Sequence, residues 1–554
     1  MPVMAGKRAL MEMLKAEGVE YIFGLPGSSE APILDALEDY PDFKYILALH
    51  EGTVIGMADA YARGTGRASF VSLHIEAGLA NGLGLMQDAK TSGTPMVVTS
   101  ANYDVRKLAE GKVDLAKMAE PFTKWSVELA HPEQIPSVMR RAFHEANTYP
   151  RGPVYVGLTA NALDGKADMK LVASSPIQGP GPARPEAVDE IVSALAGASR
   201  ALMVVGDRVA DANAVGEAIS VAELLGVPVY AARGGEVNFP TDHPQFMSRF
   251  PARMGRYRNM LRGADVVLVV GADAFRDLFF QSDIVLPAST TLIHIDPRIS
   301  EVGKSEPTDI GVVADVKLAM GQLAEALENA MTPDQRSAAS ARGRSVTEAS
   351  RAAADEREAA VRARWDGSPM SPVRMFAELA ACLPDDVVIA NDSYSSAEDL
   401  MNAIPFRAPG DLHSTRAAST GWGMGGAIGL KCAYPDRPVV AVVGDGTAIS
   451  TVQALWTAKN ENIPVVYVIC NNAMFRLLKQ NMDTYKRDIL HEDEPGSRYL
   501  HMDLDTPLDF AGLAKVIGLH GERITDPGAI APAMERALAS GEPSVLDIVI
   551  DGSL

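Results

Sequence analysis

Cysteine is scarce in this chain: there are three in 554 residues, and Cys382, Cys432 and Cys470 are too widely scattered to form a metal-binding motif. Cys432 and Cys470 lie in or beside apolar runs, which is typical of thiols in a protein core. Because neither a disulfide framework nor a zinc pattern is visible, the simplest expectation is a protein of a reduced, cytoplasmic compartment.

Long apolar runs and an excess of positive charge are also absent. No segment approaches the ~20 continuous apolar residues of a membrane-spanning helix, and residues 1–17 lack the apolar centre of a signal peptide. The formal net charge is −20 at pH 7, which argues against nucleic acid as a partner. We therefore expect neither a membrane nor a nucleic acid partner, although an acidic surface does not identify a substrate.

The overall composition is typical of a chain with a large apolar core. It contains 47% hydrophobic and 22% charged residues, and its length of 554 residues predicts about two to four domains. Blocks at about 1–170, 185–345 and 369–554 alternate strand-like apolar runs with helical segments, which predicts three α/β domains with mainly parallel sheets. Residues 173–182 form a linker rich in proline, glycine and serine, and residues 337–365 are expected to be a helical connection.

The most informative stretch lies in the third block. An apolar strand that begins at Val439 leads into Gly444-Asp445-Gly446-Thr447, and a second apolar run ends at Asn471-Asn472. The spacing of 27 residues from Asp445 to Asn472 fits two parallel strands that are joined by one helix. These two side chains are therefore expected at the carboxyl edge of a sheet, where open α/β sheets bind ligands.

The residue types at that edge suit a metal and a phosphate. The carboxylate of Asp445, the amide oxygen of Asn472 and nearby backbone carbonyls are oxygen ligands of the kind that Mg²⁺ prefers. Gly444 and Gly446 let the backbone approach a phosphate, and the N–H groups of Gly446 and Thr447 at a helix start can bind it.

Three stretches of the first block also place polar side chains after strands. Ser28 lies in a Gly/Pro turn that follows Phe23, Glu51 follows the run Leu47-Ala48-Leu49-His50, and His74 follows Leu73. Because the ends of parallel strands meet at one edge of a sheet, Ser28, Glu51 and His74 are expected to share a crevice.

Taken in this order, the motifs resemble those of the thiamine diphosphate-dependent 2-oxoacid decarboxylase and acetohydroxyacid synthase superfamily, and within it the benzoylformate decarboxylases. The resemblance covers nearly the whole chain. It implies a pyrimidine-binding domain (1–170), a central Rossmann-like domain (185–345) and a diphosphate-binding domain (369–554). The stretches that carry it are Gly24 to Glu30, Tyr45 to Glu51, Leu73-His74 with Ala77-Gly78, Lys124-Trp125-Ser126 and Gln453 to Ala458. His74 is the most discriminating residue, since synthase-type members generally lack a histidine there.

The resemblance also implies catalytic roles. Glu51 would contact the cofactor's pyrimidine and favour loss of the thiazolium proton, Ser28 would hydrogen-bond the substrate carboxylate, and His74 would transfer protons. Glu30 matches a glutamate near the site, but it could equally be a helix-start charge.

The resemblance further implies the cofactors thiamine diphosphate and Mg²⁺. Met474 would bind the metal through its carbonyl, beside Asp445 and Asn472. The carbonyl of Ala418 and the N–H of Thr420 would contact the pyrimidine, and Thr420 stands where the family has a bulky apolar residue that props the cofactor. The implied cofactor-binding residues are Glu51, Ser393, Ser395, Ala418, Thr420, Gly444, Asp445, Gly446, Thr447, Asn472 and Met474. A homodimer or homotetramer is expected, because in this superfamily the cofactor lies between domains of two chains.

Several positions depart from the benzoylformate decarboxylases. Leu278 stands in place of a second active-site histidine, Ala109 and Glu110 in place of apolar pocket residues, and Asn481 in place of a pocket aromatic. Together with the nearby cations, these residues favour a more polar substrate than an aryl group, unless some of them point outward. The nearby cations are Lys112, Arg476 and Lys479.

The expected function is decarboxylation of a small 2-oxoacid to an aldehyde. The alternative is a carboligase or lyase of the acetolactate synthase, benzaldehyde lyase or 2-hydroxyacyl-CoA lyase type. A non-catalytic nucleotide-binding regulator is a third possibility, which the intact Glu51, Asp445 and Asn472 disfavour. The central block lacks a Gly-x-Gly-x-x-Gly fingerprint, so it shows no positive sign of a bound nucleotide.

Overall fold

A computed structural model describes residues 3–107, 109, 111–232, 234–250, 254–275, 279, 286–417, 419–492 and 498–554. Over these residues the chain forms three six-stranded parallel sheets and one short antiparallel pair, β1 with β8. The α/β architecture with three mainly parallel sheets is therefore confirmed, while the exact domain boundaries remain predictions. Among the helices so described, none has the length and apolarity needed to cross a membrane.

The first sheet lies within residues 21–159. The strands of this region are β1 (Val3–Ala5), β2 (Tyr21–Gly24), β3 (Lys44–Leu47), β4 (Ser69–Leu73), β5 (Met96–Asn102), β6 (Ser126–Leu129), β7 (Pro153–Thr159) and β8 (Lys166–Asp168). Its helices are α1 (Gly6–Ala16), α2 (Ala31–Leu37), α3 (Glu51–Thr65), α4 (Ile75–Ser92), α5 (Leu115–Ala119), α6 (Ile135–Asn147) and α7 (Ala160–Asp164).

The central sheet lies within residues 201–313. Its strands are β9 (Ala201–Val205), β10 (Val229–Ala231), β11 (Phe246–Arg249), β12 (Val266–Val270), β13 (Thr291–Asp296) and β14 (Ile310–Val313). The helices are α8 (Pro185–Gly197), α9 (Asp207–Asp211), α10 (Val215–Leu225), α11 (Met254–Leu261), α12 (Val316–Ala330) and α13 (Pro333–Ala363). The order β11-β10-β9-β12-β13-β14 is that of a Rossmann-type doubly wound sheet, and α13 confirms the expected helical connection.

The third sheet lies within residues 388–549. Its strands are β15 (Val388–Asp392), β16 (Leu412–Ser414), β17 (Val439–Gly444), β18 (Val465–Asn471), β19 (His520–Ile524) and β20 (Ser544–Val549). The helices are α14 (Pro372–Ala380), α15 (Ala397–Ala403), α16 (Trp422–Ala433), α17 (Asp445–Ala448), α18 (Ala454–Asn460), α19 (Arg476–Thr484), α20 (Phe510–Ile517) and α21 (Ile530–Ser540).

The first and third sheets have the same strand order. The first runs β3-β2-β4-β5-β7-β6 and the third runs β16-β15-β17-β18-β20-β19, so each strand of one has a counterpart in the other. In the third sheet, valine-rich β17 is buried along most of its length, as central strands of parallel sheets are. Val443 pairs with Ile469 and Gly444 with Cys470, so β17 and β18 end at the same edge.

Helices α3 and α16 join the first and third domains. The indole Nε1 of the fully buried Trp422, on α16, donates to Oδ2 of Asp59 on α3 at 2.8 Å. The guanidinium of Arg63 lies 5.0 Å from the centre of the same indole ring. One apolar core cluster accordingly contains residues of both domains, whereas the central domain has core clusters of its own.

Buried ion pairs connect the central domain to the other two. Glu236 accepts hydrogen bonds from Arg63 of α3 at 2.7 Å and from His413 of β16 at 3.0 Å. Arg416 pairs with Asp207 at 2.8 Å and with Glu236 at 3.1 Å. These charges are buried and compensated, so they fix the three domains relative to one another.

Candidate active site

His74 and Glu30 form a hydrogen-bonded pair at the carboxyl edge of the first sheet. His74 directly follows β4, and its Nδ1 lies 2.9 Å from Oε2 of Glu30. Glu30 is fully buried and also accepts from the backbone N–H groups of Gly27 at 2.9 Å and Ala101 at 3.0 Å. Because a carboxylate only accepts, this pairing directs the N–H at Nδ1 of His74 toward Glu30, so Nε2 is the ring nitrogen that can exchange a proton with a substrate.

A residue that the sequence analysis did not single out completes this pair. The hydroxyl of Ser29 lies 2.8 Å from Nδ1 of His74 and 3.0 Å from both carboxylate oxygens of Glu30. Ser28, which the resemblance assigns to the substrate, is exposed at the start of a short 3-10 helix. The two adjacent serines therefore point to different surroundings, and only contacts read from the structure separate them.

Two glycines leave room for these side chains. A Cβ atom on Gly27 would lie 2.2 Å from Nδ1 of His74, so any other residue there would displace the imidazole. A Cβ on Gly78 would lie 3.0 Å from Oε1 of Glu51 and 3.4 Å from Cβ of His74. Glu51 and His74 thus flank the same glycine.

Glu51 lies at the first position of α3 and is only 7% exposed. The side chain of His50 caps this helix by accepting from the N–H of Gly52 at 3.0 Å. Oε2 of Glu51 accepts a hydrogen bond from Nδ2 of Asn81 at 3.0 Å. Asn81 lies on α4, two helical turns after His74. That spacing places the two residues on the same face of the helix, and it is the sequence signal that could have identified Asn81 as a site residue.

The second half of the site is the edge where β17 and β18 end. Asp445 begins α17, is 3% exposed, and accepts from the N–H of Gly446 at 2.7 Å and of Ala473 at 2.6 Å. Burial raises the pKa of the Asp445 carboxyl to about 6. The amide oxygen of Asn472 accepts from the N–H of Met474 at 3.1 Å, so the proposed metal ligands lie in one turn beside Asp445.

The expected diphosphate contacts converge on the same edge. The Gly444 backbone lies beside the carbonyl of Ser393 and the hydroxyl of Thr447, since a Cβ there would be 3.9 and 3.8 Å from them. The ring of Phe475 packs against Gly446. The hydroxyl of Ser393 donates to Oδ1 of Asn391 at 2.7 Å, and Ser395 lies in the short helix that follows.

The loop before α16 is the third part of this region. Ala418 lies outside the described residues, and Thr420 is exposed where the loop opens. Tyr394 donates from its OH to the carbonyl of Ser419 at 3.2 Å. The loop ends at Gly421, whose carbonyl accepts from the hydroxyl of Thr451 at 2.7 Å.

The residues at this edge fit the Mg²⁺ that the resemblance implies. A buried carboxylate held only by backbone N–H groups is costly, and a divalent cation at Asp445 would offset that cost. Over the described part of the chain there is no group of three His, Cys, Asp or Glu that could hold a metal. The proposed ligands do not form such a group, because two of the three would be an amide oxygen and a backbone carbonyl.

The cations near the expected substrate pocket are engaged within the chain. Lys112 forms a salt bridge with Glu128, Lys479 pairs with Asp503 at 2.5 Å, and Arg476 donates to the carbonyl of Ser553 at 2.9 Å. The charges of Lys112 and Lys479 are therefore paired with carboxylates, which weakens the expectation of a more polar substrate than an aryl group.

The remaining positions that differ from the benzoylformate decarboxylases are only partly within the described residues. Ala109 is exposed and Asn481 is half-buried, whereas Leu278 and Glu110 lie outside the described residues.

Three family models match the chain. They are the N-terminal thiamine pyrophosphate-binding domain of thiamine pyrophosphate enzymes at residues 4–120, the central domain at 188–323 and the C-terminal thiamine pyrophosphate-binding domain at 395–548.

Individual proteins match over nearly the full length. The chain is 31% identical to benzoylformate decarboxylase of Pseudomonas aeruginosa, with 98% of each chain covered. It is 27% identical to a probable acetolactate synthase large subunit of Methanocaldococcus jannaschii, with 99% of this chain and 92% of that one covered. A solved 4-hydroxybenzoylformate decarboxylase of Rhodococcus jostii RHA1 superposes with a TM-score of 0.84 at 27% identity, with 99% of each chain covered.

Proposed function

The chain belongs to the thiamine pyrophosphate enzyme family, and on that premise we propose that it uses thiamine diphosphate and Mg²⁺ to decarboxylate a 2-oxoacid to an aldehyde. The observation that supports decarboxylation most directly is the His74–Glu30 pair beside Glu51, across Gly78. A decarboxylase must deliver a proton to the carbon that loses CO₂, and an imidazole held by a buried carboxylate is built for proton transfer.

The residues would divide the chemistry as follows. When bound, thiamine diphosphate supplies a carbon nucleophile and accepts the electron pair that remains when CO₂ leaves. Glu51 would hold the pyrimidine through a hydrogen bond, with Asn81 fixing the carboxylate. Ser28 would bind the substrate carboxylate, and Nε2 of His74 would give its proton to the carbon that becomes the aldehyde. Asp445, Asn472 and the carbonyl of Met474 would hold the Mg²⁺ that binds the diphosphate.

A carboligase is the second candidate, because the full-length relatives include an acetolactate synthase large subunit. Both activities share the step in which CO₂ or another group leaves. They differ in whether a proton or a second carbonyl carbon captures the acyl carbon. The presence of His74 in the crevice favours the proton.

A substrate panel tests the proposal. Purified protein with thiamine diphosphate and Mg²⁺ is incubated with aryl, alkyl and acidic 2-oxoacids, with and without an excess of acceptor aldehyde. We expect CO₂ release with free aldehyde as the main carbon product. Mostly coupled product would favour the carboligase, and cofactor binding without turnover on the whole panel would favour a non-catalytic role.

Removal of the Asp445 carboxylate should abolish metal-dependent cofactor binding. In Asp445→Ala the buried carboxylate at the β17–β18 edge is lost, so Mg²⁺ and with it the diphosphate should no longer be retained. Cofactor content after gel filtration in excess chelator measures this, and Asp436→Ala, on an exposed turn, serves as control. Tight retention by Asp445→Ala would show that the metal assignment is wrong.

We further propose that the site is completed by a second copy of the chain, as dimer or tetramer. Large apolar side chains are exposed beside both halves: Leu49 is 46% exposed next to Glu51, and Phe475 is 38% exposed next to Gly446. A second chain that covers both would bury them and bring the first domain of one chain to the third domain of the other. A cytoplasmic location is proposed from the three free cysteines alone.

Mixing two inactive variants tests the shared site. In a dimer of Glu51→Gln with Asp445→Ala chains, one site would carry both defects and the other neither. Random exchange should restore up to about a quarter of the wild-type activity, because half of the dimers are mixed and each has one intact site. Each variant mixed with itself is the control. No recovery after exchange is demonstrated by mass would contradict the shared site.

A further inference from the structure

The loop of residues 415–420 is anchored by a helix of another domain. This loop carries Thr420 and leads from β16 to α16, so under the proposed function it faces the pyrimidine of the cofactor. Its contacts to the first domain come from α4, the helix that begins just after His74. The hydroxyl of Ser419 donates to the carbonyl of Gly84 on α4 at 2.6 Å.

The strongest anchor is Asp88, which is fully buried on the same helix. Its Oδ1 accepts from the hydroxyl of Thr415 at 2.8 Å and from the backbone N–H of Ala417 at 2.6 Å. Its Oδ2 lies 3.4 Å from the N–H of Arg416. One carboxylate therefore holds three consecutive residues of the loop, with bonds to charged acceptors that are stronger than those between neutral groups.

The side chain of Arg416 connects the same helix to the central domain. It pairs with Asp207 and Asp211 of the central domain and donates to the carbonyl of Ser92 at 3.2 Å. The backbone of residues 415–417 is thus held from the first domain, and the Arg416 side chain is held from both the first and the central domain. With these contacts in place, the backbone of residues 415–417 is fixed before a ligand arrives.

We propose that Asp88 is a positioning residue for the cofactor's pyrimidine ring, which acts by fixing the backbone of residues 415–417. This rests on the proposed function. Asp88 does not touch the metal edge at Asp445, so it affects only the pyrimidine end of the cofactor. In the proposed dimer, Glu51 and this loop of one chain would belong to two different sites. Helix α4 would then contact both sites, since its Asn81 holds Glu51 and its Asp88 holds the loop.

The prediction is a selective loss of affinity. Binding of thiamine diphosphate and of inorganic pyrophosphate is measured by calorimetry on the full chain with Mg²⁺ present. Pyrophosphate probes the diphosphate end alone. In Asp88→Ala, the Kd for thiamine diphosphate should rise about ten-fold or more, while the Kd for pyrophosphate changes less than about two-fold. Asp88→Asn keeps an acceptor oxygen for Thr415 and Ala417, so it should restore most of the affinity.

Two further variants make the test specific. Asp211→Ala removes one of three carboxylates that pair with the Arg416 side chain; Asp207 and Glu236 remain, so both Kd values should be unchanged. If Asp88→Ala does not fold, Thr415→Val removes a single bond and should shift the thiamine diphosphate Kd alone, by a smaller factor.

Three results would overturn the proposal. Equal weakening of both ligands would mean a general loss of structure, and no weakening of either would mean that the loop does not need its anchor. A wild type that binds pyrophosphate but not thiamine diphosphate would overturn the proposed function itself.

Discussion

Glu51→Gln should lose nearly all turnover and keep its fold. The substitution replaces a carboxylate by an amide of the same shape, and the side-chain oxygen can still accept from Asn81. What disappears is the negative charge that the pyrimidine nitrogen requires under the proposed function. We expect kcat to fall by about 10²-fold or more, since positioned acid–base groups typically contribute 10²–10⁴-fold.

The measurement is kcat at saturating cofactor, together with the melting temperature. Glu38→Gln, the same change at an exposed position that ends α2, should leave kcat unchanged. If Glu51→Gln kept more than a tenth of the wild-type kcat, Glu51 would not be the residue that activates the cofactor.

His74→Ala should lower kcat for aldehyde formation by about 10²–10⁴-fold. The imidazole is the only part of the pair that can move a proton to the substrate, because Glu30 is fully buried and held by backbone N–H groups. Glu30 keeps those donors in the variant, so the fold should survive. His144→Ala, an exposed histidine on α6, is the matched control.

The ratio of free aldehyde to coupled product decides what a surviving activity means. It is measured for wild type and His74→Ala with one 2-oxoacid and excess acceptor aldehyde. We expect free aldehyde from the wild type and a larger coupled share from the variant, since the acyl carbon waits longer for a proton. Near-normal aldehyde formation by His74→Ala would show that protons arrive by another route and would strengthen the carboligase alternative.

The α/β architecture could be predicted from the sequence because the carboxyl ends of parallel strands lie at the same edge of a sheet. Val443 and Ile469 are adjacent in register, and just beyond them Asp445 accepts from the N–H of Ala473, the residue after Asn472. Likewise Glu51 and His74 both lie against Gly78, and each follows a strand of one sheet. The order of strands in each sheet could not be read from periodicity, which reports burial and not neighbours.

What the sequence could not supply were contacts between side chains of distant segments. Nothing in the spacing distinguishes Ser29, which touches His74, from Ser28, which is exposed. In the sequence, Asp88 is indistinguishable from any other carboxylate on a helix, because its partner Thr415 is 327 residues away. The cations Lys112 and Lys479 suggested a polar pocket, because their partners Glu128 and Asp503 are not evident from the sequence.

The packing of α3 on α16 determines which parts of the chain should unfold together. The apolar cluster around these helices contains residues of the first and third domains, such as Val71 and Val443, while the central domain has core clusters of its own. Cooperativity follows shared burial and not chain order. On heating, the first and last thirds of the sequence should therefore melt as one unit and the middle third as another, giving two transitions for a chain of three sheets.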